Sequence, residues 1–559
     1  MNAMQTMKKY IWPLLLYGCL LFLLVGYILY PMGNTLRQAL VSEEGFTLSV
    51  FREYLANPNN IRVIQNTFAV GVGSVVCCGI LGTALAIFMT FCRVPCRRLL
   101  HMTLLSPMMI PGVIIVIAFV QLYGESGVVT KGAELLLGLS GPLWNFSGLP
   151  GILFVITYTQ YVYFYMNVSV ALKYIDYAAI DAARSLGANR RQIFCSVILP
   201  AIAPALITSS IMTFASGIGA FSAPNLIGGG YKVLSTAIVK SKVNNYMDVA
   251  SAQVMLLLAM SVSVMLLLQY YKRKCRYTRS PRPAAPSLYT GHSAFRILAG
   301  LLMGIQILMI LVPVLGIVYL SFNTTHSIMM DIFPHSFTLE NYREIADSPR
   351  VLQPLLNSLK MSFMAVGAGI LLTVPVSYLN WRRKSLPAGC AKALMMLPWC
   401  MPVSVIGINM INAFNVKSIF AFGRALIGGF YILPIAYTVT ALPLLLSSND
   451  TAMESFHPVL EDASHSLGGG GLATLMRVVL PNIAPGILAG GILVFIRTMG
   501  EYTVSALLYG VHNRPISISM VTNMQEFNIG VSMAYGVIVI LISLGAMMLM
   551  LALDKKRFI

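Results

Sequence analysis

Long apolar stretches separated by short polar turns dominate the chain, and they are too continuous for an amphipathic helix and too long for a strand. They predict membrane spans. Runs of about 20 apolar residues, such as Ile11–Tyr30, Phe68–Phe91, Ile297–Leu320 and Ala534–Leu553, match a hydrocarbon core of ~30 Å at ~1.5 Å per helical residue. The glycines and prolines that interrupt many of them are tolerated where neighbouring helices re-satisfy the backbone. The first run follows Lys8 and Lys9 but lacks a small-x-small cleavage site, and Tyr30–Pro31 comes directly after it. It is expected to stay as the first span. The pattern as a whole predicts an all-α polytopic protein of about twelve transmembrane helices.

Composition agrees: of 559 residues, 57% are hydrophobic and 10% charged, which excludes an ordinary soluble domain. The net charge of +19 does not point to nucleic acid, because it is concentrated in loops beside spans. The clusters are Arg93/Arg97/Arg98, Lys173/Arg190/Arg191, Lys272/Arg273/Lys274/Arg276, Arg382/Arg383/Lys384 and Lys555/Lys556/Arg557. With about twelve spans all of them fall on one side, as expected of cytoplasmic ends. Both termini are then inside, and the mixed-charge segments 32–65 and 321–355 are outside. A single cluster is equally a phospholipid anchor; their agreement orients the chain. Nine cysteines, Cys77, Cys78, Cys92 and Cys96 among them, form neither a disulfide framework nor zinc spacing.

The chain is written twice. Phe46-Thr47-Leu48 matches Phe337-Thr338-Leu339, Asn66-Thr67 matches Asn357-Ser358, and Pro107 and Pro111 match Pro398 and Pro402, all at an offset of 291. After a loop shortened by ten residues the offset is 281: Asp181-Ala182 with Asp462-Ala463, Ser185-Leu186-Gly187 with Ser466-Leu467-Gly468, Leu199-Pro200 with Leu480-Pro481, Pro204 with Pro485, and Gly219 with Gly500. Repeats of about six spans that begin and end on the same side are parallel. The expected organisation is a first half at 1–271, a basic, proline-rich cytoplasmic linker at 272–296, and a second half at 297–559.

The most specific feature is the loop between the fourth and fifth spans of each half, at 175–200 and 456–481. In the first copy a helix of small residues carries Asp181, Ala182 and Ala183, and Gly187 stands where a left-handed cap ends it. A second helix leads to Leu199-Pro200, with Pro200 placed to start the next span. A face of alanine and serine can press closely into a cleft of another protein. The second copy carries Asp462, Ala463, Ser464, Gly468, Leu480 and Pro481, and its Gly468–Gly471 run is expected to loosen the turn. No glycine run ends in Gly-Lys-Ser/Thr, so none cradles nucleotide, and no HExxH or GxSxG set suggests an enzyme.

This doubled pattern resembles the EAA loop of importer permeases of the ATP-binding cassette (ABC) superfamily, with Asp181 and Asp462 replacing the usual glutamate. The resemblance implies a type I permease fold whose two loops couple to two ATPase subunits, with ATP bound in those partners and no cofactor on this chain. It also implies an extracytoplasmic substrate-binding protein and a bacterial inner membrane. The rival reading is a secondary transporter driven by an ion gradient.

For the substrate path, the fifth span of each half ends in Ser216-Gly-Ile-Gly219 and Arg497-Thr-Met-Gly500-Glu501. Arg497 and Glu501 are expected to pair on one helical face. An ionisable group at membrane depth is a functional hypothesis by default, although the same pair also suits an outer interface. A carboxylate fits a hard cation and an arginine fits a phosphonate, and the residues leave both open. Ser222-Ala-Pro-Asn-Leu-Ile-Gly-Gly-Gly, Val233–Ile238 and the fused form resemble the ferric-iron and 2-aminoethylphosphonate branch, with thiamine and polyamine permeases as relatives.

Overall fold

A computed structural model describes residues 18–42, 45–92, 94, 96–175, 177–274, 293–383 and 386–555. Lys8, Lys9, Arg93, Arg276, Lys384, Lys556, Arg557 and most of the linker lie outside the described residues. Helices make up nearly all of the rest, and one two-residue hairpin, Val41–Ser42 with Gly45–Phe46, is the only sheet among the described residues.

A first helix, α1 (Gly18–Leu40), opens the first repeat. That repeat contains α2 (Pro58–Phe91), α3 (Gly112–Tyr123), α4 (Gly148–Lys173), α5 (Tyr177–Ser185), α6 (Leu199–Ile218), α7 (Ser222–Ile227), α8 (Leu234–Val243) and α9 (Met247–Lys274). Helix α10 (Ser293–Ser321) opens the second. It continues with α11 (Pro349–Arg383), α12 (Leu386–Met396), α13 (Val403–Phe414), α14 (Ile432–Glu454), α15 (Pro458–Ser466), α16 (Leu480–Met499), α17 (Thr503–Leu508), α18 (Ile516–Gln525) and α19 (Ile529–Lys555).

Ten of the described helical stretches are long and apolar enough to cross a membrane, or eleven if the bent pair Leu386–Cys400 and Val403–Phe414 counts as one span. Helix α4, 26 residues long, is long enough but falls outside that set. Its four tyrosines, with Gln160 and Asn167, lower its apolarity, and three of the tyrosines are paired inward: Tyr161, for one, is fully buried and donates to the Leu104 carbonyl at 2.6 Å.

The repeat seen in sequence recurs as hydrogen bonds. Asn66 donates to the Lys232 carbonyl at 3.0 Å, and Asn357 to the Arg514 carbonyl at 3.1 Å. Thr67 Oγ1 accepts from the Leu234 N–H at 2.8 Å, and Ser358 Oγ from the Ile516 N–H at 2.8 Å. Each hydroxyl thereby satisfies a buried amide at the start of α8 or α18 that has no partner within its own helix. The prolines also act in pairs. Pro107 and Pro398 lie in short 3-10 turns, and Ile110 and Met401 are driven to extended backbone (φ −95° and −101°) before Pro111 and Pro402. In the second repeat the axis bends by 113° at this break.

Two compact units form: residues 1–50, 242–255 and 339–559, and residues 51–241 and 256–338. They do not follow the boundary between the repeats. In the first unit α1 packs on α13, Tyr27 donates to the Phe420 carbonyl at 2.8 Å, and Asn412 Nδ2 donates to Thr35 Oγ1 at 3.0 Å and Ser251 Oγ at 2.9 Å. In the second unit α10 packs on α3; a Cβ at Gly316 would lie 2.9 Å from Leu122. Each unit is thus built on one repeat and includes the opening helix of the other. The second unit is centred on α2, α4 and α6. A Cβ at Gly82 would stand 2.5 Å from the Tyr161 carbonyl oxygen, so this glycine sets how closely α2 and α4 approach.

Candidate functional site: two paired loops and the ends of the fifth spans

In the first loop, α5 ends with Leu186, Gly187 and Ala188 donating their amides to the carbonyls of Ala182, Arg184 and Ala183. Gly187 takes φ +79°, a conformation that L side chains rarely adopt. Asn189 and Gln192 then bond each other's backbone amides reciprocally at 2.8 and 2.9 Å, which caps the next turn. The chain widens into a π turn at Phe194–Ile198, where the Leu199 amide reaches back to the Phe194 carbonyl. Pro200 explains that turn: its ring has no N–H and clashes with the carbonyl four residues earlier, so the ladder shifts register.

The second loop repeats these features. Leu467, Gly468 and Gly469 donate to Ala463, His465 and Ser464, Gly468 takes φ +84°, and a π turn at Leu475–Val479 precedes Leu480-Pro481. The glycine run does not loosen the turn as its composition suggests, because the same three bonds close it. Ser464, which stands where the first copy has Ala183, adds a further contact, its hydroxyl lying 2.9 Å from that of Thr474.

Asp181, Ala182, Gly187, Asp462, Ala463 and Gly468 are exposed, as are Leu199, Pro200 and Pro481; Ala183, Ser464 and Leu480 are half-buried. Sequence reasoning missed the most prominent apolar groups of the two loops. Leu186 and Leu467 are 88% and 90% exposed, one residue before each glycine. Their repetition was legible; their projection away from the chain follows from the turn.

At the ends of the fifth spans, Ser216 and Arg497 occupy equivalent exposed positions on the last turns of α6 and α16. Gly219 and Gly500 cap those helices. Glu501 does not share a helical face with Arg497, because α16 stops at Met499; no ion pair joins them among the described residues. Instead Glu501 Oε1 accepts the amides of Thr503 and Val504 at 2.9 and 3.2 Å, capping the positive end of α17. The Glu501 carbonyl accepts from Ser517 Oγ at 2.7 Å, as the Ala220 carbonyl does from Ser235 Oγ at 2.6 Å.

The sequence model of the binding-protein-dependent transport system inner membrane component family matches residues 79–277 and again 365–559, once over each loop. The chain belongs to this family. Full-length relatives of this permease include the probable ABC transporter permease protein y4fN of Sinorhizobium fredii, 28% identical over 95% of this chain and 94% of that protein. The ferric transport system permease protein FbpB of Actinobacillus pleuropneumoniae is 23% identical over 94% of this chain and 75% of its own length. The spermidine/putrescine permease PotB of Escherichia coli is 28% identical but matches 41% of this chain.

The two loops of this permease are fastened differently. In the second, Glu461 is buried and its Oε1 meets Arg382 Nε at 2.9 Å and accepts from the Tyr378 hydroxyl at 3.0 Å. Arg382 Nη1 donates to the Tyr378 hydroxyl at 3.2 Å, and Nη2 lies 3.1 Å from His465 Nε2. At the Glu461 position of the first loop stands Ile180, 2% exposed, in the apolar cluster that also contains Phe91.

Proposed function

We propose that this chain is the translocation subunit of a ferric-iron importer. One ATPase subunit docks on the Asp181 loop and another on the Asp462 loop, and a substrate-binding protein docks on the opposite face. The loops and both termini are then cytoplasmic and the membrane is the bacterial inner one. ATP is hydrolysed in the partner subunits, and their closure moves α5 and α15 and, through the π turns, the fifth spans. The reading of the substrate rests mainly on one observation: the FbpB relative named for ferric transport aligns over 94% of this chain, so it shares the fused two-repeat form, whereas the polyamine relative aligns with less than half. The docking reading is supported by two exposed loops of the same geometry, each with a leucine projecting beside its glycine.

A second reading, import of 2-aminoethylphosphonate, is favoured by the fifth-span ends. There the Glu501 carboxylate is engaged in capping a helix while the Arg497 cation stays exposed, and a guanidinium suits a phosphonate. The test is uptake by vesicles holding the permease, its ATPase and its binding protein. ATP-dependent uptake of radioactive iron is the expected outcome. Uptake of the phosphonate and not of iron would replace the substrate, and uptake of either without the ATPase would remove the coupling role from the loops.

A further inference from the structure

We infer that Glu461 is a positioning residue that makes the second loop a stiff extension of α11, so that the two loops of this permease transmit ATPase movement unequally. This rests on the coupling role proposed above.

The carboxylate lies beneath the loop. Asp462, the next residue, faces outward and is exposed, while Glu461 is 6% exposed and joins α15 to the end of α11. Its Oε1 takes the Arg382 and Tyr378 contacts at 2.9 and 3.0 Å. The network continues into the turn. Arg382 has only donors, so at 3.1 Å His465 Nε2 is the acceptor. The imidazole proton is then on Nδ1 and is donated to the Gly469 carbonyl at 2.8 Å, directly after the residue at φ +84°. A path of charge-assisted, directional bonds therefore runs from α11 through Arg382 to the turn of the second loop.

Among the described residues, the groups that build this path have no counterparts in the first loop. At the corresponding offsets Ile180 replaces Glu461, Arg184 replaces His465, Ile87 replaces Tyr378 and Phe91 replaces Arg382. Ile180 sits in apolar surroundings, and Arg184 faces Asp181 on the same exposed helix at 3.9 Å. Apolar contact is non-directional and allows sliding; a guanidinium fork on a buried carboxylate does not. Another ion pair of the same unit, Lys392 with Asp450 at 2.7 Å, touches neither loop and serves as the control.

The test uses the complete complex with its ATPase and loaded binding protein in lipid vesicles, and compares stimulated with basal ATP hydrolysis. Glu461→Gln is expected to assemble and to keep basal hydrolysis while the stimulation falls roughly fivefold or more, a usual size for the coupling between sites. Glu461→Asp, which keeps the charge, restores part of it, and Asp450→Asn leaves it unchanged. Should Glu461→Gln fail to assemble, Arg382→Lys keeps the charge but loses the fork and is expected to lower stimulation likewise. Wild-type stimulation in an assembled Glu461→Gln or Arg382→Lys complex would overturn the inference, as would an equal fall in Asp450→Asn. Gly187→Trp and Gly468→Trp separate the two levels. If both leave stimulation intact, the coupling role itself fails; if they abolish it and Glu461→Gln does not, only the stiffening role of Glu461 fails.

Discussion

Replacing Gly187 by alanine isolates one physical term. A Cβ built there meets nothing within 4 Å, and the same holds at Gly468, so neither substitution creates a clash within the chain. What remains is the backbone. An L residue held in the left-handed region costs about 1–2 kcal/mol, and 1.4 kcal/mol is about tenfold in an equilibrium. The closed turn of the first loop should therefore be depopulated by roughly 5- to 30-fold in Gly187→Ala. Asparagine tolerates the left-handed region better and should give a smaller change. The assay is hydrogen exchange of the permease in lipid nanodiscs, read at the amides of residues 186–188, which donate the three bonds that close the turn. Gly468→Ala should speed exchange at residues 467–469 less, because the contacts of Ser464 with Thr474 and of His465 with Gly469 also hold that turn. Unchanged exchange in Gly187→Ala would refute the claim that a positive φ is what this position requires.

Two further outcomes are expected. Leu467→Asp removes a side chain that touches almost nothing in the free chain, so thermal stability should hold while affinity for the ATPase subunit falls by roughly 10- to 100-fold, the value of burying one leucine; an unchanged pull-down would place the docking contact elsewhere. Ser358→Ala leaves the buried Ile516 amide without its hydroxyl partner at a cost of about 1–3 kcal/mol. Its unfolding midpoint in detergent should drop, with Thr67→Ala behaving alike, and an unshifted midpoint would show that the amide finds another partner.

Local chemistry accounts for what the sequence determined by itself. The apolar runs, the prolines that break them, the doubled Leu-Pro signature and the glycine that ends each loop helix all act within a few residues of themselves, and the structure places them where those rules predict. Ten or eleven of the described helical stretches meet the length and apolarity of a span, in keeping with about twelve, and α4 is left out of them because its tyrosines make a helix polar in sequence even when packing hides their hydroxyls. Other features were set only by which faces met in three dimensions. That α1 joins the unit built on the second repeat, and α10 the unit built on the first, depends on matches such as Tyr27 with Phe420, almost 400 residues apart. Arg382 reads as one of a basic cluster at a span end, and nothing near it in sequence names Glu461 as its partner. Glu501 illustrates the same limit at short range: four residues from Arg497, it would face it on a continuous helix, but α16 ends first, and the free amides of α17 take the carboxylate instead. Periodicity fixes what a residue can do along its own element, while its partner is decided by where that element stops and what packs against it.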